Sequence, residues 1–175
     1  MSKTPVSSGG RSVGTVAMRW HGGSLELLDQ RLLPDQEHWI TLEGASGVAQ
    51  CIRDMVVRGA PAIGISAAYG VALAARHAGG GDWKAEIKQA IRELAASRPT
   101  AVNLFWALQE MEREFAACHS LGEAVKRLAE TAVRIHEDDL AANLTMADYA
   151  LEHMAATKPF SVLTHCNTGA LATGG

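Results

Sequence analysis

The stretch "MVVRGAPAIGISAAYGVALAA" (residues 55–75) decides how this chain folds. From residue 59 to residue 75 it holds no charged side chain, yet it falls short of the roughly 20 strongly apolar residues that cross a bilayer. Its many Ala and Gly residues make it a weak membrane segment and suit it to a tightly packed, buried helix. Pro61 fits the first helical position, where the missing N–H costs nothing. Gly59 lets the backbone approach a ligand closely. The amides of Gly59 and Ala60, beside the Arg58 guanidinium at the positive end of that helix, suit a phosphate oxygen. The plainer reading of such a turn is a helix start preceded by a solvent-facing arginine.

Working toward the N-terminus, "GVAQCIRDMVV" (residues 47–57) places Val48, Cys51, Ile52 and Met55 at helical spacing, which makes Cys51 a core filler. Before it, "VAMRWHGGSLELLD" has two short patterned runs around Gly22-Gly23, the signal of a β-hairpin, and "HWITLE" offers a further strand. Toward the C-terminus, Asp82 is the N-cap of a helix with Ile87, Ile91 and Leu94 on one face and Lys84, Lys88 and Arg92 on another. Arg98-Pro99 ends it, because a residue before proline is pushed out of the α region. Thr100 then caps a helix whose apolar stripe is Leu104, Leu108, Met111 and Phe115. Arg98-Pro99-Thr100 thus repeats the first arrangement, an arginine just before a fresh helix start. Ser120 and Glu123 have capping-box spacing and open a long helix with Val125, Leu128, Ala132 and Ile135 in phase. The stripe resumes at Leu140, Leu144, Ala147, Leu151 and Met154, out of step with Ile135, so a bend or a change of buried face is expected near "HEDD". There the carboxylates Glu137, Asp138 and Asp139 read as a solvated face.

The totals limit what such a chain does. At 175 residues, 47% hydrophobic and 20% charged, it can bury a real core. A formal net charge of −3 and the lack of a Lys/Arg cluster argue against nucleic-acid binding. Cys51, Cys118 and Cys166 are far apart and lack CxxC spacing, which fits a reducing compartment and neither a disulfide framework nor a zinc site. The opening "MSKTPVSSGGRS" has no apolar core and reads as a disordered tail, not a secretory signal. A cytoplasmic, metal-free protein with no membrane partner is expected.

Near the C-terminus, "FSVLTHC" (residues 160–166) is the one stretch that reads as a buried strand of the parallel type. Cys166 would sit at its carboxyl end, where open α/β sheets place ligands, and a helix starting near Gly169 would lower the thiol's pKa. The alternative is a buried structural cysteine. His165, its neighbour on the strand, points to the other face and is a poor base for it.

Three stretches carry a resemblance: "MVVRGAPAIGISAAYGVALAA", "RPTAVNLFWAL" and "VLTHCNTGALATGG" closely resemble the methylthioribose-1-phosphate isomerase family of methionine salvage. The hairpin region "RWHGGSLELLDQRLLP" fits as well. Relatives sharing that fold are the ribose-bisphosphate isomerases and the regulatory subunits of the initiation-factor exchange complex.

The resemblance implies an α+β chain: a disordered tail over 1–12, a mostly helical domain with a small antiparallel hairpin or meander over 13–158, and over 159–175 the first strand of a truncated Rossmann-like domain. It implies isomerisation of 5-methylthioribose 1-phosphate to 5-methylthioribulose 1-phosphate without metal or cofactor. Carried over by motif, Arg58, Gly59, Ala60 and Arg98 look like substrate binders and Cys166 like the catalytic thiol. The full-length form is expected to be a homodimer whose partner is a small sugar phosphate. The family's catalytic Asp, an Asn-Lys pair and a Gln lie beyond the stretch covered here, so the expectation is an N-terminal portion, inactive alone. The rival expectation is a regulatory or dimerisation module of the same fold, or a ribose-bisphosphate isomerase relative.

Overall fold

The computed structural model describes residues 16–79, 81–154, 161, 163–165 and 169–175. Their element order is β1 (Met18–Trp20), β2 (Leu25–Leu28), β3 (Trp39–Leu42), α1 (Ala45–Arg53), α2 (Ala60–His77), α3 (Trp83–Ala95), α4 (Val102–Ala116) and α5 (Leu121–His153). This is the expected α+β arrangement, a small meander beside a helical body.

The expected hairpin closes at Gly22, whose φ of 75° only glycine adopts readily, with His21 N–H donating to the Ser24 carbonyl at 3.0 Å. The sheet order is β1-β2-β3, antiparallel throughout, with Met18 opposite Leu27 and Leu25 opposite Leu42. Leu25 and Leu27 point inward and are fully buried, whereas Glu26 between them meets His21 and Arg19. The period of two thus puts one face of the sheet on the helices. Trp20 stacks on Tyr69 of α2 at 4.7 Å between ring centroids.

Helix α2 is the hub, in contact with α1, α3, α4 and α5. A helix apolar on all sides gains most by being enclosed on all sides, and its Ala and Gly positions let neighbouring backbones come close. At Gly64 an added Cβ would lie 2.7 Å from the Asn103 carbonyl oxygen, so the starts of α2 and α4 touch there. The buried Ser66 hydroxyl is satisfied by donating to the Ala62 carbonyl at 2.7 Å.

Several local expectations hold. Asp82 caps α3 by accepting from the Ala85 N–H, and Ile87, Ile91 and Leu94 are buried. The α4 stripe of Leu104, Leu108, Met111 and Phe115 is buried. The Ser120 hydroxyl accepts from the Glu123 N–H at 3.2 Å, while the Glu123 carboxylate reaches back to the His119 N–H.

Others are corrected. Met55 is not part of the buried stripe: α1 stops at Arg53, and Met55, at φ 58°, turns out to half exposure as the Val56 N–H closes back on the Cys51 carbonyl. That loop returns the chain toward α2 and cannot keep residue 55 in helical phase. Thr100 does not cap α4; the cap position is Ala101, with no side-chain bond. Helix α3 ends before Arg98-Pro99, with Ala96 at its C-cap and Ser97 Oγ donating to the Leu94 carbonyl. Helix α5 is continuous through "HEDD", and its burial falls away beyond it: Ile135 is 6% exposed, Leu144 49% and Leu151 67%.

Of residues 160–166, Ser161 and residues 163–165 are described, and they form no strand; Leu163 is 86% exposed. Among the described residues no strand lies beside this run to pair with its backbone, so the β-branched signal is not enough. Cys166 and the tail over 1–12 lie outside the described residues.

Candidate active site

Two helix starts, one loop and the middle of α5 meet at one place. Gly59 precedes α2 with φ 95°, a conformation that an L side chain resists, and a Cβ there would lie 2.4 Å from Ala172 backbone atoms. Glycine at 59 is therefore required twice, by its dihedral and by the chain crossing it. The crossing segment is 169–175. Its Ala172 carbonyl accepts from the Ala62 N–H at 3.1 Å, and Gln30 Nε2 donates to the Leu171 carbonyl at 2.8 Å.

Arg58 is half-buried beside this crossing. Its Nη2 donates to the Gln30 carbonyl at 2.7 Å, and its buried Nε has no hydrogen-bond partner among the described residues. Pro61 has no N–H and the Ile63 N–H serves the Gly59 carbonyl. The amides of Gly59 and Ala60 meet no acceptor among the described residues. Among the described residues the start of α2 thus has two backbone N–H groups and one buried guanidinium N–H without acceptors. Arg98 is half-buried ahead of α4, with its carbonyl accepting from the Ala101 N–H. Since α2 and α4 touch at Gly64 and Asn103, the two arginine turns lead into adjoining helix starts.

The middle of α5 holds the other side of the 169–175 segment. His136 Nε2 donates to the Gly174 carbonyl at 2.5 Å, and Asp139 Oδ2 accepts from the Gly174 N–H at 2.8 Å. With its proton on Nε2, a neutral His136 offers Nδ1 as acceptor to the Tyr69 hydroxyl, 2.8 Å away. Burial pushes the Tyr69 phenol above its ordinary pKa, with Glu137 adding to it, so it stays a neutral donor. Asn143 donates to Asp139 from one turn on, at 3.1 Å. A side chain at Gly174 would run into His136, at 2.7 Å.

Sequence reasoning missed Gln30, Tyr69, His136 and Asp139. The "HEDD" carboxylates read as a solvated face, and Asp139 acquires its role only from a glycine 35 residues away. No local signal marks Gln30, whose partner is 141 residues distant.

Beside these contacts lies a cavity of about 440 Å³. Pro61, Gly64 and Ile65 of α2 and Val102, Asn103 and Trp106 of α4 form two of its walls. Ile135, Asp138 and Asp139 of α5 form the third. Arg58, Gly59, Ala60 and Arg98 are not among its lining residues; Arg58 and Gly59 precede α2, Ala60 is its first residue, and Arg98 lies in the turn ahead of α4. Among the described residues there is no cluster of metal-ligating side chains and no helix long and apolar enough to cross a membrane.

The chain is 80% identical over 168 residues to a methylthioribose-1-phosphate isomerase from Marinobacter nauticus, covering 96% of this chain and 48% of that one. It is 58% identical over 163 residues to the isomerase of that name from Azotobacter vinelandii, covering 91% and 46%. The chain spans about half the length of the curated relatives it matches. Among solved structures, 5-methylthioribose 1-phosphate isomerase from Pyrococcus horikoshii superposes with a TM-score of 0.81 at 35% identity, covering 90% of this chain and 45% of that one. Subunit delta of the translation initiation factor eIF-2B from A. fulgidus gives a TM-score of 0.80, also at 35% identity, covering 90% and 46%. The model of the initiation factor 2 subunit family matches residues 56–174, from the α1–α2 loop to the docked glycine segment, and the chain belongs to that family.

Proposed function

We propose that this chain is the N-terminal portion of an enzyme converting 5-methylthioribose 1-phosphate to 5-methylthioribulose 1-phosphate. The 80% identity over 168 residues to a methylthioribose-1-phosphate isomerase carries the reading. The site supplies chemistry that fits it. Phosphate oxygens are received by the Gly59 and Ala60 amides and by Arg58 and Arg98. Cys166 acts as the catalytic thiol. Phosphate on the anomeric oxygen blocks simple ring opening, so the enzyme must open the ring and then move hydrogen from C2 to C1. That transfer needs a second group across the substrate from the thiol. Residues 159–175 begin the domain that provides it, and the full-length form works as a cytoplasmic homodimer without metal or cofactor.

The experiment is an assay of 5-methylthioribose 1-phosphate isomerisation by the 175-residue chain and by a chain extended to the length of its relatives. The extended chain is expected to turn over and the shorter one to be inactive. Comparable turnover by both would overturn the claim that the second group lies outside these residues. Inactivity of both would favour the other reading, a regulatory module, to which the likeness to the eIF-2B delta subunit points.

A further inference from the structure

We infer that Tyr69 and His136 are positioning residues: together they hold the 169–175 segment across the start of α2, and through it the groups at Arg58, Gly59 and Ala60. That those groups receive phosphate rests on the isomerase reading above. Tyr69 is 1% exposed and its ring is stacked on Trp20 of β1, so its hydroxyl cannot turn out to water. A buried hydroxyl proton needs an acceptor, and the one within reach is His136 Nδ1, 2.8 Å away. With Tyr69 donating there, the imidazole carries its proton on Nε2, where the Gly174 carbonyl accepts it. The buried phenol thus fixes the tautomer of His136, and the tautomer fixes which partner the ring can hold.

The far end of this relay is a clamp. Gly174 is gripped at both polar backbone atoms, its carbonyl by His136 and its N–H by Asp139 Oδ2 at 2.8 Å. No side chain fits between them, since a Cβ at 174 would stand 2.7 Å from the His136 ring. From the clamp the segment runs back over α2. Ala172, 2% exposed, accepts from the Ala62 N–H, and the Leu171 carbonyl accepts from Gln30 Nε2. Gln30 in turn accepts Arg58 Nη2 at its own carbonyl. A shift at Gly174 is therefore passed to Arg58 through Gln30. It is passed to Gly59 by contact, because a Cβ there would stand 2.4 Å from Ala172 and the crossing has no slack. Linked hydrogen bonds of this kind act together, and a displacement of about 1 Å in a binding group is enough to weaken what it holds.

The test measures KM and kcat for 5-methylthioribose 1-phosphate, and the Kd of inorganic phosphate by calorimetry, in a chain extended to the length of its relatives. Tyr69→Phe keeps the stacked ring and removes the hydroxyl alone, whereas His136→Leu removes the donor to Gly174. Each should raise KM and the phosphate Kd about tenfold while kcat stays within about threefold. His136→Gln carries an N–H at similar reach and should recover most of the loss seen with leucine, a rescue that a space-filling role does not give. Nitrogen NMR shifts of the His136 ring should show the Nε2–H tautomer in the unsubstituted chain and a mixture in Tyr69→Phe. Where His136→Leu fails to fold, Tyr69→Phe decides. Unchanged KM and phosphate Kd in the folded variants overturn the positioning role and leave the isomerase reading standing. Phosphate binding weakened in them, with no turnover of the sugar even by the unsubstituted chain, overturns that reading and supports the role.

Discussion

Arg58 shows how much a single side chain can be asked to do at this site. It ties the start of α2 to Gln30 through one N–H and keeps another buried without a partner among the described residues. A buried donor left in that state is costly unless a ligand meets it. On the proposed isomerase reading, in a chain extended to the length of its relatives, Arg58→Ala and Arg98→Ala should each lower kcat/KM roughly ten- to a hundredfold, the loss of a charge-assisted contact of about 1.5–3 kcal/mol. Wild-type kinetics in both variants would remove them from the site. Cys51 and Cys118 have the opposite character. Both are buried and free, and desolvation pushes both thiols above their ordinary pKa. A raised pKa means less thiolate at neutral pH, so in the native protein these two should alkylate slowly and speed up only at alkaline pH. After denaturation all three cysteines should titrate at once. A thiol equivalent recovered only with reductant would contradict the reduced state.

At the scale of the element, α2 depends on smallness more than on hydrophobicity. Ala and Gly positions bring α4 to backbone contact at Gly64 and let Leu94 of α3 approach Gly70 at 3.1 Å from where a Cβ would stand. Gly64→Ala isolates this effect. Alanine favours a helix over glycine by about 1 kcal/mol, but its Cβ would stand 2.7 Å from a main-chain oxygen that cannot rotate away. The clash should win, and destabilisation of about 1–3 kcal/mol is expected from urea unfolding. A stabilised variant would show that α4 slides freely along α2. The capped start of α5 behaves more simply: Ser120→Ala should cost about 1 kcal/mol in the same measurement, since it leaves the Glu123 N–H without its acceptor.

Across the whole molecule, stability is distributed unevenly along α5. Ala124, Leu128, Ala132 and Ile135 seal the core, whereas Leu144, Met146, Tyr149 and Leu151 are exposed. Local opening is governed by what an element buries, and an unsupported helical stretch is marginal in water. Amide hydrogen exchange should therefore be slow over 124–135, close to the global limit, and orders of magnitude faster over 144–153. Equal protection along the helix would mean that its distal half is held by something other than these side chains. The 169–175 segment bears on the same question, because His136 and Asp139 anchor it where burial on α5 gives out.

What the sequence determined by itself is what periodicity and local chemistry can specify. The hairpin at Gly22-Gly23, the stripes of α3 and α4, the caps at Asp82 and Ser120 and the enclosure of residues 59–75 all depend on neighbours a few residues apart. Arg58, Gly59 and Arg98 were legible as candidates for the same reason, since a turn ahead of a helix start is a local object. Tertiary structure alone decided the rest. The aligned stripe through Met55 gave way to a loop that closes on Cys51, and the run before Cys166 formed no strand in its described residues because a strand exists only through its partners. Gln30, Tyr69, His136 and Asp139 became parts of one site through contacts with residues far away in the chain. A hydrogen bond between distant residues leaves no mark in the spacing of either, and only the packing of α2 against α4 and α5 brings them into reach.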